Sequence, residues 1–215
     1  MIKLDILSDP ICPWCYIGWT NLARALEARP DHPFVIEWHP FQLNPDMPRD
    51  GMDRRAYLET KFGGKDRAYQ AYLPVLDHAQ KAGLSLNLDT IPRTPNTLNA
   101  HRLTHWAGIE GRQTPVMLAL FKAYFIDGRD IGDAAVLADI AGATGMDRAM
   151  TETLLAGDAD TTDIAARDAH ARSRGVTGVP TFVIASQHVL TGAQPPDVWL
   201  SVIDEITDQI KATDA

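Results

Sequence analysis

The feature that most constrains the fold is a pair of cysteines at a strand-to-helix turn. Residues 2–7 alternate apolar and polar side chains, which predicts a β-strand. After the cysteines, apolar residues recur at helical spacing as far as Pro30. Pro13 falls in the first helical turn, where its missing N–H costs nothing. The motif Cys12-Pro13-Trp14-Cys15, called the CPWC motif below, therefore begins a helix directly after a strand.

The CPWC motif has the geometry of a redox-active dithiol. Three helical residues separate the two Cα atoms by about 5 Å, which a disulfide accepts. Free N–H groups and the positive end of the helix dipole favour a thiolate at Cys12. We therefore predict that Cys12 is the nucleophile and that Cys15 resolves the mixed disulfide. Pro13 and Trp14 are expected to tune the potential, and Trp14 is expected to touch substrate.

Two other interpretations of the thiol pair were weighed. A structural zinc site needs two further ligands, and the seven histidines form no second cluster with ligand spacing. A purely structural disulfide in so small a loop would constrain the unfolded chain little. The sequence therefore predicts no metal and no tightly bound cofactor other than the Cys12–Cys15 disulfide itself.

Composition excludes several classes of partner and location. The net charge is −8, with no block of Lys or Arg, which argues against nucleic acid and anionic membranes as partners. No segment approaches about 18 consecutive apolar residues, the length of a membrane span. The first residues already read as a strand that carries Asp5, so no secretory leader is expected and the predicted location is cytoplasmic. Cytosolic glutathione would favour substrate reduction or isomerisation over net oxidation.

The order of patterns along the chain predicts an α/β fold. Residues 34–43 read as a second strand, which completes a parallel βαβ unit. Residues 53–174 read as helices, with the turns marked by Gly and the helix starts by Thr or Asp. Residues 179–184 and 188–192 read as an antiparallel hairpin, followed by a last helix. The helical block is expected to lie over the active site as a partial lid.

Four motifs in this order resemble the DsbA family of the thioredoxin superfamily, closest to its cytoplasmic FrnE-type branch. They are residues 8–18 around the cysteines, residues 38–45, residues 96–102 and residues 178–182. The resemblance implies a thioredoxin-like fold, a βαβ unit plus a ββα unit, with a large all-helical insertion. On this basis, residues 1–48 and 175–215 form the thioredoxin-like domain, and residues 49–174 form the insertion domain.

The resemblance also implies a function and a substrate-binding loop. It implies a thiol–disulfide oxidoreductase that acts on disulfide-containing or thiol-containing proteins, as a monomer or a homodimer, with glutathione as reductant or co-substrate. It places a cis Pro180 opposite the cysteines, with the backbone of Val179 free to pair with an extended substrate. It places Asn96 and His101 near a glutathione or substrate cleft, although a helix cap and a packed histidine are the alternative interpretation.

Two departures from the family pattern matter for mechanism. Thioredoxin-like enzymes often keep a buried acid six residues before the first cysteine, and Ile6 occupies that position here. Glu37 and His39 are the candidates for proton transfer that remain, unless both are simply solvated.

The second departure bears on the alternative functions. Glutathione-dependent relatives, the 2-hydroxychromene-2-carboxylate isomerases and kappa-class glutathione transferases, commonly carry serine at one cysteine position. This chain has both thiols, which favours redox chemistry over an isomerase or transferase. A third alternative is a holdase-like binding module in which the thiols are secondary.

Overall fold

The chain begins with the predicted βαβ unit. A computed structural model describes residues 1–213, which start with β1 (Ile2–Ser8), α1 (Pro13–Ala28) and β2 (Phe34–Pro40). The two strands pair in parallel over their whole length, which confirms the unit. Strand β2 ends at Pro40 rather than at residue 43. The pairing with β1 stops there because, after Phe41, the N–H groups of Gln42 and Leu43 bond to the carboxylates of Asp168 and Asp9 rather than to a strand.

The segment between the two parts of the sheet is mainly helical. Its helices are α2 (Arg54–Phe62), α3 (Lys65–Lys81), α4 (Leu98–Ile109), α5 (Gln113–Phe125), α6 (Ala134–Ala143), α7 (Arg148–Ala156) and α8 (Thr161–Ser173). Aspartates cap three of them by accepting N–H groups of the first turn; these are Asp53, Asp133 and Asp147. Two short strands, β3 (Met52–Asp53) and β4 (Arg93–Thr94), pair antiparallel within this segment. The sequence did not predict them, because two residues carry no measurable period.

The last part of the chain completes the sheet. Strands β5 (Thr181–Ile184) and β6 (His188–Thr191) form the predicted antiparallel hairpin, and α9 (Pro196–Thr213) follows. Strand β5 also pairs antiparallel with β1, so the sheet order is β2-β1-β5-β6. None of the helices within residues 1–213 is both long and apolar enough to cross a membrane.

The two faces of the sheet have different neighbours. Leu4 and Ile6 of β1 and Trp38 of β2 lie in the main buried cluster, together with both cysteines. We call this side of the sheet the inner face. Leu7 packs instead with Phe41 and Ala171 in a smaller cluster on the other side, the outer face. Since side chains alternate along a strand, Asp5 shares the outer face with Leu7.

The insertion covers the tip of α1. Val75, Ala79 and Ala82, at the α3 end of the insertion, bury Ile17 of α1 in a separate apolar cluster. Trp14 of the CPWC motif packs against the same cluster. Helix α3 therefore lies beside the cysteine turn, where the sequence patterns predicted a partial lid.

Candidate active site

The two thiols lie buried in the first turn of α1. The Cys12 N–H donates to the Asp9 carbonyl at 2.9 Å, and the Cys12 carbonyl accepts the Cys15 N–H at 3.0 Å. Both cysteines are free thiols, with Cys12 3% exposed and Cys15 1% exposed. Cys12 is the N-cap residue of α1 and has extended backbone dihedral angles. Cys12 therefore lies at the N-terminus of α1, the positive end of the helix dipole.

The wall opposite the thiols is the loop that precedes β5. The Val179–Pro180 peptide bond is cis. The Cys12 thiol donates to the Val179 carbonyl oxygen at a sulfur-to-oxygen distance of 3.5 Å. Gly18 permits this close approach, because a Cβ atom there would lie only 3.0 Å from Cγ of Pro180. The structure thus brings together four residues that the sequence predicted for the site. Cys12 and Cys15 lie on one side, and Val179 and Pro180 lie opposite them.

The second thiol is held in its neutral form. Burial raises the pKa of the Cys15 thiol well above its ordinary value, and neighbouring Cys12 raises it further. The Ser8 side chain and the Asp9 backbone act in the opposite direction but do not outweigh burial. Cys15 therefore keeps its proton until another group, or the departing sulfur of a substrate, takes it.

A buried carboxyl lies directly behind the cysteine turn. Asp9 is completely buried, and its two oxygens accept N–H groups from Ile11 at 3.3 Å and from Leu43 at 2.6 Å. The hydroxyl of Thr97 donates to it at 3.4 Å. Burial raises the pKa of Asp9 to about 7, against the lowering effect of these hydrogen bonds. Asp9 thus connects the cysteine turn with the end of β2 and with the start of α4.

His101, one of the predicted cleft residues, is the neighbour of this carboxyl. Its ring is buried, and its Nε2 atom lies 3.9 Å from Oδ1 of Asp9, too far for a hydrogen bond. Within residues 1–213, that nitrogen has no hydrogen-bond partner. Burial lowers the pKa of His101 to about 4, so the ring is neutral near pH 7.

Asn96 has contacts that serve the local fold. Its Oδ1 atom accepts the Leu98 N–H at 2.9 Å, at the start of α4. Its Nδ2 group donates to the Met47 carbonyl at 2.7 Å. These bonds match the helix-cap alternative and leave its predicted role in a glutathione cleft as a prediction.

Glu37 and His39 lie on the outer face, away from the thiols. Nε2 of His39 is 2.6 Å from Oδ1 of Asp5, and Nδ1 of the same ring is 3.4 Å from Arg167. The Lys3 ammonium contacts Asp5 at 2.9 Å and Glu37 at 2.8 Å. One ligand atom from each of Asp5, Glu37 and His39 lies within 4.8 Å of the others, a spacing that a metal ion could use. The Lys3 ammonium already supplies positive charge to both carboxylates.

An open cavity of about 1120 Å³ lies on the outer face, between α8 and the hairpin. Its lining includes His170 and Arg174 next to Val183 of β5. It reaches Val179 and Pro180. Val179 therefore borders both this cavity and the Cys12 thiol.

Trp14 is half-buried between the dithiol and the insertion. Its ring meets that of His78 edge-on, with centroids 5.2 Å apart. Pro13 beside it is also half-buried. One part of the Trp14 ring packs on α3, and the rest remains open to contact a bound molecule.

Comparison with known proteins now identifies the family. Residues 3–204 match the family described as the DSBA-like thioredoxin domain. The chain belongs to this DsbA-like family. YwbO of Bacillus subtilis, an uncharacterized protein, is 26% identical over 207 residues, which cover 95% of this chain and 96% of YwbO. The family assignment confirms the predicted thioredoxin fold and makes the chain an enzyme of the broad thiol–disulfide type.

Solved structures of similar fold include oxidoreductases and an isomerase. A probable DsbA oxidoreductase from Streptomyces coelicolor superposes with a TM-score of 0.84 at 28% identity. The match covers 95% of this chain and 89% of the Streptomyces chain. A 2-hydroxychromene-2-carboxylate isomerase has a TM-score of 0.73 at 18% identity, with coverages of 99% and 100%. The cytosolic disulfide reductase DsbM from Pseudomonas aeruginosa, solved with GSH, has a TM-score of 0.69 at 19% identity, with coverages of 96% and 99%. The last two likenesses describe the fold alone.

Sequence reasoning missed two residues of this site. Gly18 carried a signal, because a glycine inside a helix costs about 1 kcal/mol relative to alanine and often marks a close approach. Asp9 carried a weaker one, since an aspartate before a proline usually indicates a turn. Its partners Leu43 and Thr97 are far away in sequence, so its burial could not be predicted.

Proposed function

We propose that this DsbA-like protein is a thiol–disulfide oxidoreductase that exchanges disulfides in protein or small thiol substrates through Cys12 and Cys15. The observation that carries the proposal is the pair of free thiols in one helical turn, with Cys12 facing the Val179 carbonyl. The unequal positions of the thiols support it further, since buried Cys15 keeps its proton while Cys12 is the N-cap residue of α1.

The reductive reaction follows from these positions. The Cys12 thiolate attacks one sulfur of a substrate disulfide, and the other substrate sulfur leaves and takes up a proton. Cys15 then loses its proton and attacks the Cys12 sulfur, which forms the enzyme disulfide and releases the second substrate thiol. Two electrons pass from the enzyme dithiol to the substrate. Two molecules of glutathione can return them, leaving oxidised glutathione.

The loop before β5 is the proposed binding site for substrate. An extended segment that pairs with the Val179 backbone would place its disulfide next to Cys12, and backbone pairing suits many unrelated sequences. Trp14 would contact the same segment from the side of the insertion. Glutathione as reductant and a cytoplasmic location remain part of the proposal. DsbM, described as a cytosolic disulfide reductase and solved with GSH, is compatible with both.

Reduction of insulin disulfides by the glutathione-reduced protein tests the proposal. We expect turnover by the wild type, none by Cys12→Ser, and stable mixed disulfides with Cys15→Ser. The surface variant Ser201→Ala, on α9, is the matched control and should behave as wild type. An inert wild type that is fully folded would reject the proposal.

The same variants separate the rival functions. The chain's likeness in fold to 2-hydroxychromene-2-carboxylate isomerase motivates the glutathione-dependent alternative. That alternative predicts tight glutathione binding and undiminished turnover of a small aromatic substrate by Cys15→Ser. A holdase would suppress aggregation of a client protein even as the Cys12→Ala, Cys15→Ala double variant.

A further inference from the structure

Two buried titratable groups next to the dithiol have no part in the exchange reaction described above. Asp9 comes from the cysteine turn and His101 from α4, and both are almost completely buried. Their facing atoms, Oδ1 and Nε2, are 3.9 Å apart. No other polar group within residues 1–213 bonds to that nitrogen. A buried polar atom without a partner is costly, so this one needs an explanation.

The hydrogen bonds around the pair indicate where a proton resides. The backbone of Phe41 forms a hydrogen bond with the His101 ring that favours the protonated ring, which assigns the proton of the neutral ring to Nδ1. The Nε2 atom that faces Asp9 is then a bare acceptor. A protonated Asp9 carboxyl is the donor that could serve it, after a movement of about 1 Å to normal hydrogen-bond distance.

The charged groups that face the pair lie on α8, and the dithiol lies beside it. Asp168 on α8 raises the pKa of both groups, and Arg172 contacts Asp168 at 3.0 Å. Arg167, also on α8, lowers the pKa of His101. Leu43, after β2, contributes a backbone N–H only. The dithiol of α1 completes the surroundings, and it alone changes charge during the reaction.

The Asp9 carboxyl is tied directly to the segment that holds the nucleophile. Its Oδ1 atom accepts the N–H of Ile11, the residue before Cys12, at 3.3 Å. The carbonyl of Asp9 accepts the Cys12 N–H at 2.9 Å. A change of charge on this carboxyl therefore changes the electrostatic potential at the turn that carries Cys12. The effect is strong because Asp9 is buried, where charges are weakly screened.

We propose that Asp9 and His101 form a proton-holding pair that couples the thiol–disulfide equilibrium of Cys12 and Cys15 to pH, with Asp9 as a positioning residue. The proposal rests on the proposed function. In the reduced protein, any negative charge that the dithiol gains on ionisation disfavours a carboxylate at Asp9, so Asp9 holds its proton more tightly. The enzyme disulfide carries no charge, so Asp9 releases that proton to solvent more easily after oxidation.

The coupling adds the release of at most one proton, from Asp9 to solvent, to a balanced reaction. When the dithiol reduces a substrate, two electrons and the Cys15 proton pass to the substrate sulfurs, and the enzyme S–S bond forms. A fraction of a proton then leaves Asp9. By linkage, a pH at which Asp9 is ionised must favour the oxidised enzyme relative to a variant whose side chain cannot ionise.

The equilibrium between the protein and a glutathione buffer, measured against pH, tests the coupling. Well below the Asp9 pKa of the oxidised form, Asp9→Asn and wild type should have similar equilibrium constants, and the two should diverge as pH rises toward 7. Above pH 7, Asp9→Asn should shift toward the reduced form, by about tenfold for each unit of difference between the Asp9 pKa values of the two redox forms. Asp5→Asn, on the outer face of β1, is the matched control and should follow wild type throughout.

A measurement on the wild type avoids dependence on a variant that might not fold. The 13C resonance of the Asp9 carboxyl should titrate near pH 7 in the reduced protein and at lower pH in the oxidised protein. His101→Gln, which offers an amide in place of the bare nitrogen, should lower the midpoint in the reduced form. Equal midpoints in the two redox forms would overturn the proposal.

The outcomes also distinguish this proposal from the proposed function. A wild type that exchanges with glutathione but has the same pH dependence as Asp9→Asn would overturn the coupling and leave the oxidoreductase intact. A folded wild type whose thiols neither exchange with oxidised glutathione nor reduce insulin would reject the oxidoreductase. The carboxyl titration would still report whether Asp9 responds to the dithiol.

Discussion

The protein carries two aspartate–histidine pairs that differ in almost everything except their chemistry. Asp5 and His39 are 2.6 Å apart on the outer face of the sheet, with Lys3 in contact with Asp5. Asp9 and His101 lie 3.9 Å apart in a dry pocket behind the cysteines. The first pair is hydrogen-bonded and partly exposed, with an ammonium group beside it. The second is unbonded and buried, so its ionisation is governed by burial.

The comparison shows that an acid's distance from the cysteines along the chain does not tell how strongly its charge affects the two thiols. Asp5 and Asp9 are four positions apart in sequence. Their partners differ, because Asp5 bonds to His39 on the outer face while the Asp9 carboxyl bonds to the cysteine turn. The Asp5 carboxylate interacts with the Lys3 ammonium and with solvent. The Asp9 carboxyl interacts with the backbone next to Cys12.

The largest expected difference between the pairs is in stability. Asp9→Ala leaves the N–H groups of Ile11 and Leu43 buried without an acceptor, and each orphaned donor costs about 1–3 kcal/mol. We expect Asp9→Ala to lower the free energy of unfolding by about 2–4 kcal/mol. Asp5→Ala should cost less, about 1 kcal/mol, because it orphans no backbone N–H and because its partners Lys3 and His39 are both partly exposed. Urea unfolding of the reduced proteins measures both, and equal losses would contradict the contrast.

The second expected difference is in how stability depends on pH. The pKa of Asp9 is raised to about 7, so the folded state keeps a proton that the unfolded state loses, and stability falls as pH rises from about 4 to 7. The pKa of His101 is lowered to about 4, so stability rises as pH rises from about 4 to 6.5. Each effect is about 1.4 kcal/mol per pH unit, and the two nearly cancel.

Substituting either Asp9 or His101 should reveal the pH dependence of stability that the other residue causes. In Asp9→Asn, stability should rise with pH between about 4 and 6.5, and in His101→Gln it should fall between about 4 and 7. The wild type should be nearly flat between about 4 and 6.5. Unfolding free energies in urea across this range provide the check, and parallel profiles for the three proteins would contradict the opposing titrations.

Much of the fold could be predicted because its signals are local. The alternation in β1, the helical spacing after Cys15 and the short turn between β5 and β6 each specify one element, and the order of elements specifies the sheet. The dithiol was predicted for the same reason, since both thiols lie within one helical turn. Strands β3 and β4 escaped prediction because each has only two residues.

The proton chemistry of the site could not be predicted, because it depends on long-range contacts. Asp9 is buried by residues that follow it by 34 and 88 positions. The sequence did indicate that His39, of the Asp5–His39 pair, lies away from the thiols. Trp38 lies between Glu37 and His39, so an apolar Trp38 on the core side places its two neighbours on the opposite face. This alternation argues against Glu37 and His39 as the proton acceptor for Cys15 and leaves Asp9, in the cysteine turn, as the nearest acid.

The smallest expected effect concerns Lys3 and salt. Asp5 and Glu37 lie opposite each other on β1 and β2, and the Lys3 ammonium contacts both. Lys3→Met should cost less than about 1 kcal/mol, and added salt should recover part of it by screening the two carboxylates. Wild type should respond to salt in the opposite direction, because salt weakens its ion pairs.

Thiol exchange by Lys3→Met provides the matching control for the outer face. The variant should exchange with glutathione at the wild-type rate and with the wild-type pH dependence, because the sheet separates Lys3 from the dithiol. Urea unfolding at low and high salt, together with the exchange rate, measures both parts. A changed pH dependence of exchange would mean that charge on the outer face reaches Cys12. The contrast between the two aspartate–histidine pairs would then be one of degree, set by distance through the sheet rather than by which face carries the charge.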